Sequence, residues 1–259
     1  MSRLTDFIKD FKNSYIYENT LADPKIEVVM MWMTGSTITG IKDAQSDYDV
    51  CVLVKELPKE PENIPWKIYS RPCSYFFKYV PQGVKTHCIY NDLSNIVSMS
   101  AATPLDNIGW AQFKHISDTF ILYKNPKYSE LIEKLLTSKD TISTASIYFF
   151  ILAMYTDLGS SQLSDLIELQ PDVPNKGIAH VCWAASVLQK KSVDVPLITR
   201  IKRIPFNKLS FQDQTNALIA MNYLDKFVKK YELPQELIDL QNELSSYLSP
   251  MGDSFNEPE

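Results

Sequence analysis

Two apolar runs on either side of a polar loop limit the folds open to this 259-residue chain more than any other feature of its sequence. The first run, residues 28–33, leads into the segment 34–54, TGSTITGIKDAQSDYDVCVLV, which ends in a second run at 50–54. Continuous apolar runs of this length, rich in β-branched residues, are typical of strands covered on both faces. The segment therefore predicts two strands joined by a loop that opens with a Gly-Ser turn.

Two aspartates stand at the start of the second strand. Because side chains alternate along a strand, Asp47 and Asp49 point to one face and Tyr48 points to the other. Two carboxylates this close repel each other and lose hydration at the mouth of a buried strand, so we expect a compensating positive charge. Mg²⁺, or Mn²⁺, is the natural candidate, because Mg²⁺ binds through one or two carboxylates and leaves positions for water and phosphate oxygens.

The turn at Gly35 and Ser36 complements this pair. Glycine lets the backbone approach a phosphate group closely, and the Ser36 hydroxyl and neighbouring backbone N–H groups can donate hydrogen bonds to its oxygens. The alternative interpretation is an ordinary connection with a solvated acidic edge. The five apolar residues directly after Asp49 favour a site, because a plain turn would need neither aspartate.

Gly35-Ser36, a spacer with Gly40, and Asp47-x-Asp49 followed by hydrophobic residues resemble the signature of the nucleotidyltransferase superfamily related to DNA polymerase β. More closely, the segment 34–54 is similar to stand-alone nucleotidyltransferase-domain proteins of bacteria and their phages. The resemblance implies an α+β fold with an N-terminal nucleotidyltransferase-type mixed sheet and flanking helices. It also implies that Asp47 and Asp49 are catalytic metal ligands, that Gly35 and Ser36 bind the nucleotide, and that an NTP is the substrate.

The same resemblance implies a third carboxylate on a later strand, and here the sequence departs from the pattern. The predicted strand 84–90 contains no acid, and the first acid after it is Asp92. Three interpretations stay open: Asp92 reaches back as the third catalytic acid, His87 (or Thr86) provides the polar group at the metal site, or the site binds nucleotide without transferring it. Asp92 also precedes a predicted helix, for which it would be the N-cap.

From about residue 140 the periodicity turns helical, which predicts a C-terminal helical domain. Lys176 and His180 lie four residues apart on one predicted helix and are candidate nucleotide contacts; the alternative is a solvated lysine and a packed histidine. One basic cluster, Arg200, Lys202, Arg203 and Lys208, is a candidate contact for an RNA acceptor or a solvated loop face. We predict domains at 1–138 and 139–248 and a disordered tail at 249–259.

Charge and cysteine content limit the partners and the cellular location that we expect. A net charge of −5 argues against a general nucleic-acid-coating surface. The four cysteines include no CxxC pair, which favours reduced thiols over zinc. The N-terminus lacks the apolar core of a signal peptide, and we expect a cytoplasmic protein with no membrane partner. The predicted activity is transfer of a nucleoside monophosphate to a hydroxyl of a small molecule, protein or RNA; the alternative is a catalytically silent nucleotide-binding or protein-interaction module.

Overall fold

The computed structural model describes residues 8–9, 11–13, 15–22, 24, 26–34, 48–56, 74–77, 86–93, 120–169 and 171–248. Over these ranges the protein is an α+β fold in which a mixed sheet is followed by helices. The strands are β1 (Val28–Thr34), β2 (Tyr48–Val54), β3 (Ser74–Phe77), β4 (Thr86–Asp92) and β5 (Ile121–Lys124). The helices are α1 (Tyr15–Ala22), α2 (Ser129–Thr137), α3 (Lys139–Leu158), α4 (Asp165–Leu169), α5 (Lys176–Leu188), α6 (Val195–Ile201), α7 (Phe211–Val228) and α8 (Gln235–Tyr247).

The five strands form one sheet in the order β3-β4-β2-β1-β5. β2 is central: it runs antiparallel to β1 and parallel to β4, while β3 and β5 pair antiparallel at the two edges. Every residue of β2 except Asp49 is buried. A strand with neighbours on both sides and cover on both faces needs a continuous apolar run, which explains the sequence of β2.

The two faces of the sheet pack against different helices. On one face, Trp32, Cys51 and Leu53 share a core with residues of α2, α3 and α8. On the other face, Met33 and Val52 share a core with Phe11, from the N-terminal helical region. The sheet is therefore the middle layer between helices, and the C-terminal helices cover the face that carries Trp32.

Helix α3 joins the sheet to the other helices. Its residues Ile142, Ala145 and Phe149 pack on the sheet, whereas Ile147 and Ile151 pack in a second core formed by helices alone. Among the described helices, α3 is long and apolar enough to cross a membrane by length and composition, but half of its most apolar window is buried within the protein. These contacts are those of a core helix. The first core also crosses the predicted domain boundary at 138/139, and that division stays a prediction.

Candidate active site

Asp49 is the predicted site residue whose surroundings the structure describes in most detail. It is the second residue of β2 and is partly exposed. Cys51 and Leu53 follow it at two and four positions along the strand, so all three side chains lie on one face. Asp49 therefore lies on the sheet face that the C-terminal helices cover. The Asp49 carboxylate therefore stands near the start of a strand that is otherwise buried.

The register of the sheet aligns three positions across neighbouring strands. Asp49 pairs with Thr34 of β1 on one side and with His87 of β4 on the other. Thr34 is the last residue of β1, and it pairs with Asp49. The chain re-enters the sheet at Tyr48, one residue before Asp49. Sequence reasoning did not single out Thr34; its position just before Gly35-Ser36 was the available signal.

Gly35, Ser36 and Asp47 lie outside the described residues, and their roles as nucleotide and metal ligands stay predictions. In the sequence, Gly35 directly follows Thr34 of β1, and Asp47 directly precedes Tyr48 of β2. In the described part of the chain, no three His, Cys, Asp or Glu side chains come together as a metal site. A metal site formed by Asp47 and Asp49 stays a prediction, for which carboxylates are the donors that Mg²⁺ prefers.

The structure separates Asp92 from Asp49. Asp92 pairs with Val54, five residues along β2 from Asp49, which corresponds to about 16 Å of strand. Asp92 and Asp49 therefore lie near opposite ends of their paired strands, and the role of Asp92 as a third catalytic acid stays a prediction. The next residue, Leu93, is helical and buried, which puts Asp92 at the predicted N-cap position.

The β4 residue in the row of Asp49 is His87, and Thr86 pairs with Tyr48. The resemblance predicts a third carboxylate on this parallel strand. The β4 residue that pairs with Asp49 is instead a histidine. The following residue, Cys88, belongs to the opposite face of the sheet. Burial raises the pKa of the Cys88 thiol, and the nearby Asp49 charge raises it further.

Lys176 and His180 lie in a different part of the protein. They are exposed residues of the first turns of α5, and the His180 ring lies 6.1 Å from the ring of Phe150 on α3. The buried residues of α5 belong to the core formed by helices alone, whereas Asp49 lies on the sheet. His180 is thus an exposed residue with a ring contact, and a nucleotide-binding role for it and for Lys176 stays a prediction.

A pocket of about 230 Å³ opens beside the start of α5. It is lined by Met154, Asp157, Leu158, Leu166, Leu169 and Asn175. The Asn175 side chain caps α5 by accepting a hydrogen bond from the Ile178 N–H at 3.2 Å. Apolar side chains and one carboxylate do not suit a triphosphate, so this pocket adds no support for nucleotide binding near Lys176.

Comparison with known proteins adds little to the geometry of the site. No protein family matches the chain, and no curated protein sequence matches it. Among solved structures, the chain is similar to a nucleotidyltransferase-like protein from Exiguobacterium sibiricum 255-15, with 12% identity, a TM-score of 0.30, and coverage of 93% of this chain and 89% of that one. A likeness at this TM-score does not establish a shared fold.

Proposed function

We propose that this protein is a nucleotidyltransferase that uses Mg²⁺ or Mn²⁺ to transfer a nucleoside monophosphate from an NTP to an acceptor hydroxyl. The observation that carries the proposal is the register of β1, β2 and β4. It aligns Thr34, Asp49 and His87 at the edge from which the Gly-Ser loop departs and to which the Asp-x-Asp segment returns.

The proposed roles follow from this arrangement. Asp49, together with Asp47, would hold the divalent cation, and Gly35 and Ser36 would orient the β- and γ-phosphates. A bound cation neutralises triphosphate charge and stabilises the attacking and leaving oxygens. In the transfer, the acceptor hydroxyl loses its proton as its oxygen bonds to the α-phosphorus. The bond between the α-phosphorus and the oxygen that bridges it to the β-phosphorus breaks, which releases pyrophosphate.

The experiment that tests the proposal compares Asp49→Asn with Asp92→Asn. Both variants remove one carboxylate from the sheet, but Asp92 lies on β4, opposite Val54, which is five residues along β2 from Asp49. We expect Asp49→Asn to abolish thermal stabilisation by NTP with Mg²⁺, and to reduce label transfer from α-³²P NTPs by at least about 100-fold, in keeping with the loss of a positioned charge in a catalytic site. We expect Asp92→Asn to retain both. Unchanged NTP binding in Asp49→Asn would refute the assignment.

One observation favours a second candidate, the catalytically silent nucleotide-binding or protein-interaction module. The residue that β4 contributes to the row of Asp49 is His87, where the resembled pattern has an acid. If NTP and Mg²⁺ stabilise the protein together but no pyrophosphate is released, the silent module is the better description. Assays with small-molecule hydroxyls, a protein fraction and total tRNA as acceptors would then distinguish a missing acceptor from missing chemistry.

A further inference from the structure

The pocket of about 230 Å³ beside the start of α5 has an apolar wall that the protein's own contacts hold in place. Two helices supply this wall: Met154 and Leu158 belong to the end of α3, and Leu166 and Leu169 belong to α4. The side-chain amide of Asn175 donates a hydrogen bond to the Leu166 carbonyl oxygen at 3.4 Å, and the same side chain caps α5. The pocket is therefore formed before any ligand binds, as small-molecule sites commonly are.

Asp157 is the charged residue of the lining, and its position does not help the fold. It is an exposed residue of the last turn of α3, where helix carbonyl groups carry partial negative charge and a carboxylate is unfavourable. That turn contains no basic residue, and Asp157 forms no hydrogen bond or ion pair with any other residue that the structure describes. A carboxylate and a helix C-terminus at the same pocket favour a bound cation.

Charged residues on the elements around the pocket have the same preference. The last turn of α3 contributes Asp157, and α4 contributes Asp165 and Glu168. The first turn of α5 contributes one basic residue, Lys176, which forms no ion pair with Asp157. Three acidic residues against one basic residue make these surroundings net negative, so they attract a cation and repel an anion.

We propose that this pocket is a binding site for a small organic cation, a primary ammonium group attached to an apolar body. The ammonium group pairs with Asp157 at the C-terminus of α3, and the apolar body packs against Met154, Leu166 and Leu169. A volume of about 230 Å³ suits a single ring or a short alkyl chain, and it is too small for a nucleotide or a folded partner.

Ligand-observed NMR titration of the full chain at low ionic strength, without NTP, tests the proposal independently of nucleotidyl transfer. The probes are phenethylamine, its neutral analogue phenethyl alcohol and the anion hydrocinnamate, which share one ring and differ in charge. We expect the amine to bind with a dissociation constant of about 0.1 to 1 mM, and the alcohol and the anion to bind at least about fivefold more weakly. No binding of the amine at about 10 mM, or equal binding of amine and alcohol, would overturn the proposal.

Two substitutions at opposite ends of α3 form a matched pair. Asp157→Asn should raise the dissociation constant of phenethylamine about fivefold and leave that of phenethyl alcohol unchanged. Asp140→Asn removes an exposed carboxylate from the first turn of the same helix and should change neither constant. Because a carboxylate at a helix C-terminus is unfavourable, Asp157→Asn should unfold in urea at the wild-type midpoint or slightly above it. Equal weakening of amine binding by both variants would show that Asp157 does not hold the ammonium group.

A cation added to the lining locates the site by a second route. Leu169 lines the pocket and is 64% exposed, so Leu169→Lys is compatible with folding and brings an ammonium group that repels the bound amine. We expect Leu169→Lys to raise the dissociation constant of phenethylamine about fivefold or more. Ile238→Lys makes the same change at an exposed residue of α8 that is not part of the lining, and it should leave the constant unchanged. An unchanged constant in Leu169→Lys would show that the amine binds elsewhere.

Discussion

Tyr155 and Tyr231 both carry hydroxyl groups inside the helical part of the protein, but those groups have different surroundings. The Tyr155 hydroxyl donates a hydrogen bond to the Asp225 carboxylate at 2.7 Å. The Tyr231 hydroxyl is buried beside the rings of Tyr148 and Phe227 and has no hydrogen-bond partner within the described residues. This burial raises the pKa of Tyr231 to about 12. A buried hydroxyl without a partner loses hydration and gains nothing in return.

The two tyrosines therefore predict opposite outcomes for the same substitution. Tyr155→Phe should lower the free energy of unfolding by about 1–3 kcal/mol, because Asp225 loses a donor. Tyr231→Phe should leave that free energy unchanged or raise it by up to about 1 kcal/mol, because it removes a desolvated hydroxyl. Urea unfolding of both variants checks the prediction. Equal destabilisation by the two changes would mean that Tyr231 has a polar partner.

Single residues also show where sequence reasoning about the site stops. The position of Asp49 at the open end of a buried strand follows from five apolar residues after it, and the structure agrees. Its neighbours across the sheet do not follow from sequence, because strand pairing is set by contacts between segments far apart in the chain. The register pairs His87 with Asp49 and Asp92 with Val54, and no local sequence pattern distinguished this pairing from others.

At the scale of elements, α6 and α7 are tied by one ion pair. The guanidinium group of Arg200, in the last turn of α6, donates to both carboxylate oxygens of Asp213 at 2.7 and 2.8 Å. Asp213 lies in the first turn of α7 and is buried, whereas the Arg200 side chain is 44% exposed. The sequence interpretation of Arg200 as part of a solvated loop face is therefore corrected: it belongs to a helix and holds the start of the next one.

This pair predicts a pH dependence of stability. The hydrogen bonds from Arg200 hold the pKa of Asp213 below its usual range. A carboxyl group whose pKa is lower in the folded state stabilises that state at pH values above its unfolded pKa of about 3.9, and this contribution is lost as the pH falls through the folded pKa. Asp213→Asn should therefore be less stable than wild type at pH 7, and the difference should shrink below about pH 4.

Urea unfolding of wild type and Asp213→Asn from pH 7 down to pH 2.5 measures this difference. Asp239→Asn is the control, because Asp239 is an exposed residue of α8 that accepts a hydrogen bond from Gln235 and contacts no arginine in the described contacts. A difference between wild type and Asp213→Asn that stays constant over the whole pH range would show that ionisation of Asp213 contributes nothing to stability.

Long and strongly patterned elements were predictable from sequence, and short ones were not. The apolar runs predicted β1 and β2, the predicted strand 84–90 corresponds to β4, and helical periodicity from about residue 140 predicted the C-terminal helices. Two short helices, α4 and α6, went unpredicted. With five and seven residues they are too short to show a hydrophobic period, and tertiary packing rather than propensity stabilises helices of that length.

At the scale of the whole molecule, the sheet and the C-terminal helices share one core. Trp32, Cys51 and Leu53 from the sheet pack with Phe149 of α3 and Leu240 of α8. The sequence predicted separate domains because strand patterns end before residue 140. A change of pattern along the chain does not show whether the helices that follow pack against the sheet. The sheet therefore packs against side chains far along the chain, as distant from Cys51 as Leu244 of α8.

This shared core predicts the outcome of cutting the chain at the proposed domain boundary. A chain of residues 1–138 lacks α3 and α8, so the sheet face with Trp32 and Leu53 would be exposed to water. We expect that chain to show no cooperative unfolding transition and to bind a hydrophobic dye, because an exposed apolar face of this kind favours aggregation. A chain of residues 1–248 retains every helix of the core and should unfold at the wild-type midpoint. A cooperative transition in the 1–138 chain, measured by circular dichroism, would instead show that the sheet folds without the helices and that the boundary at 138/139 separates two independent units.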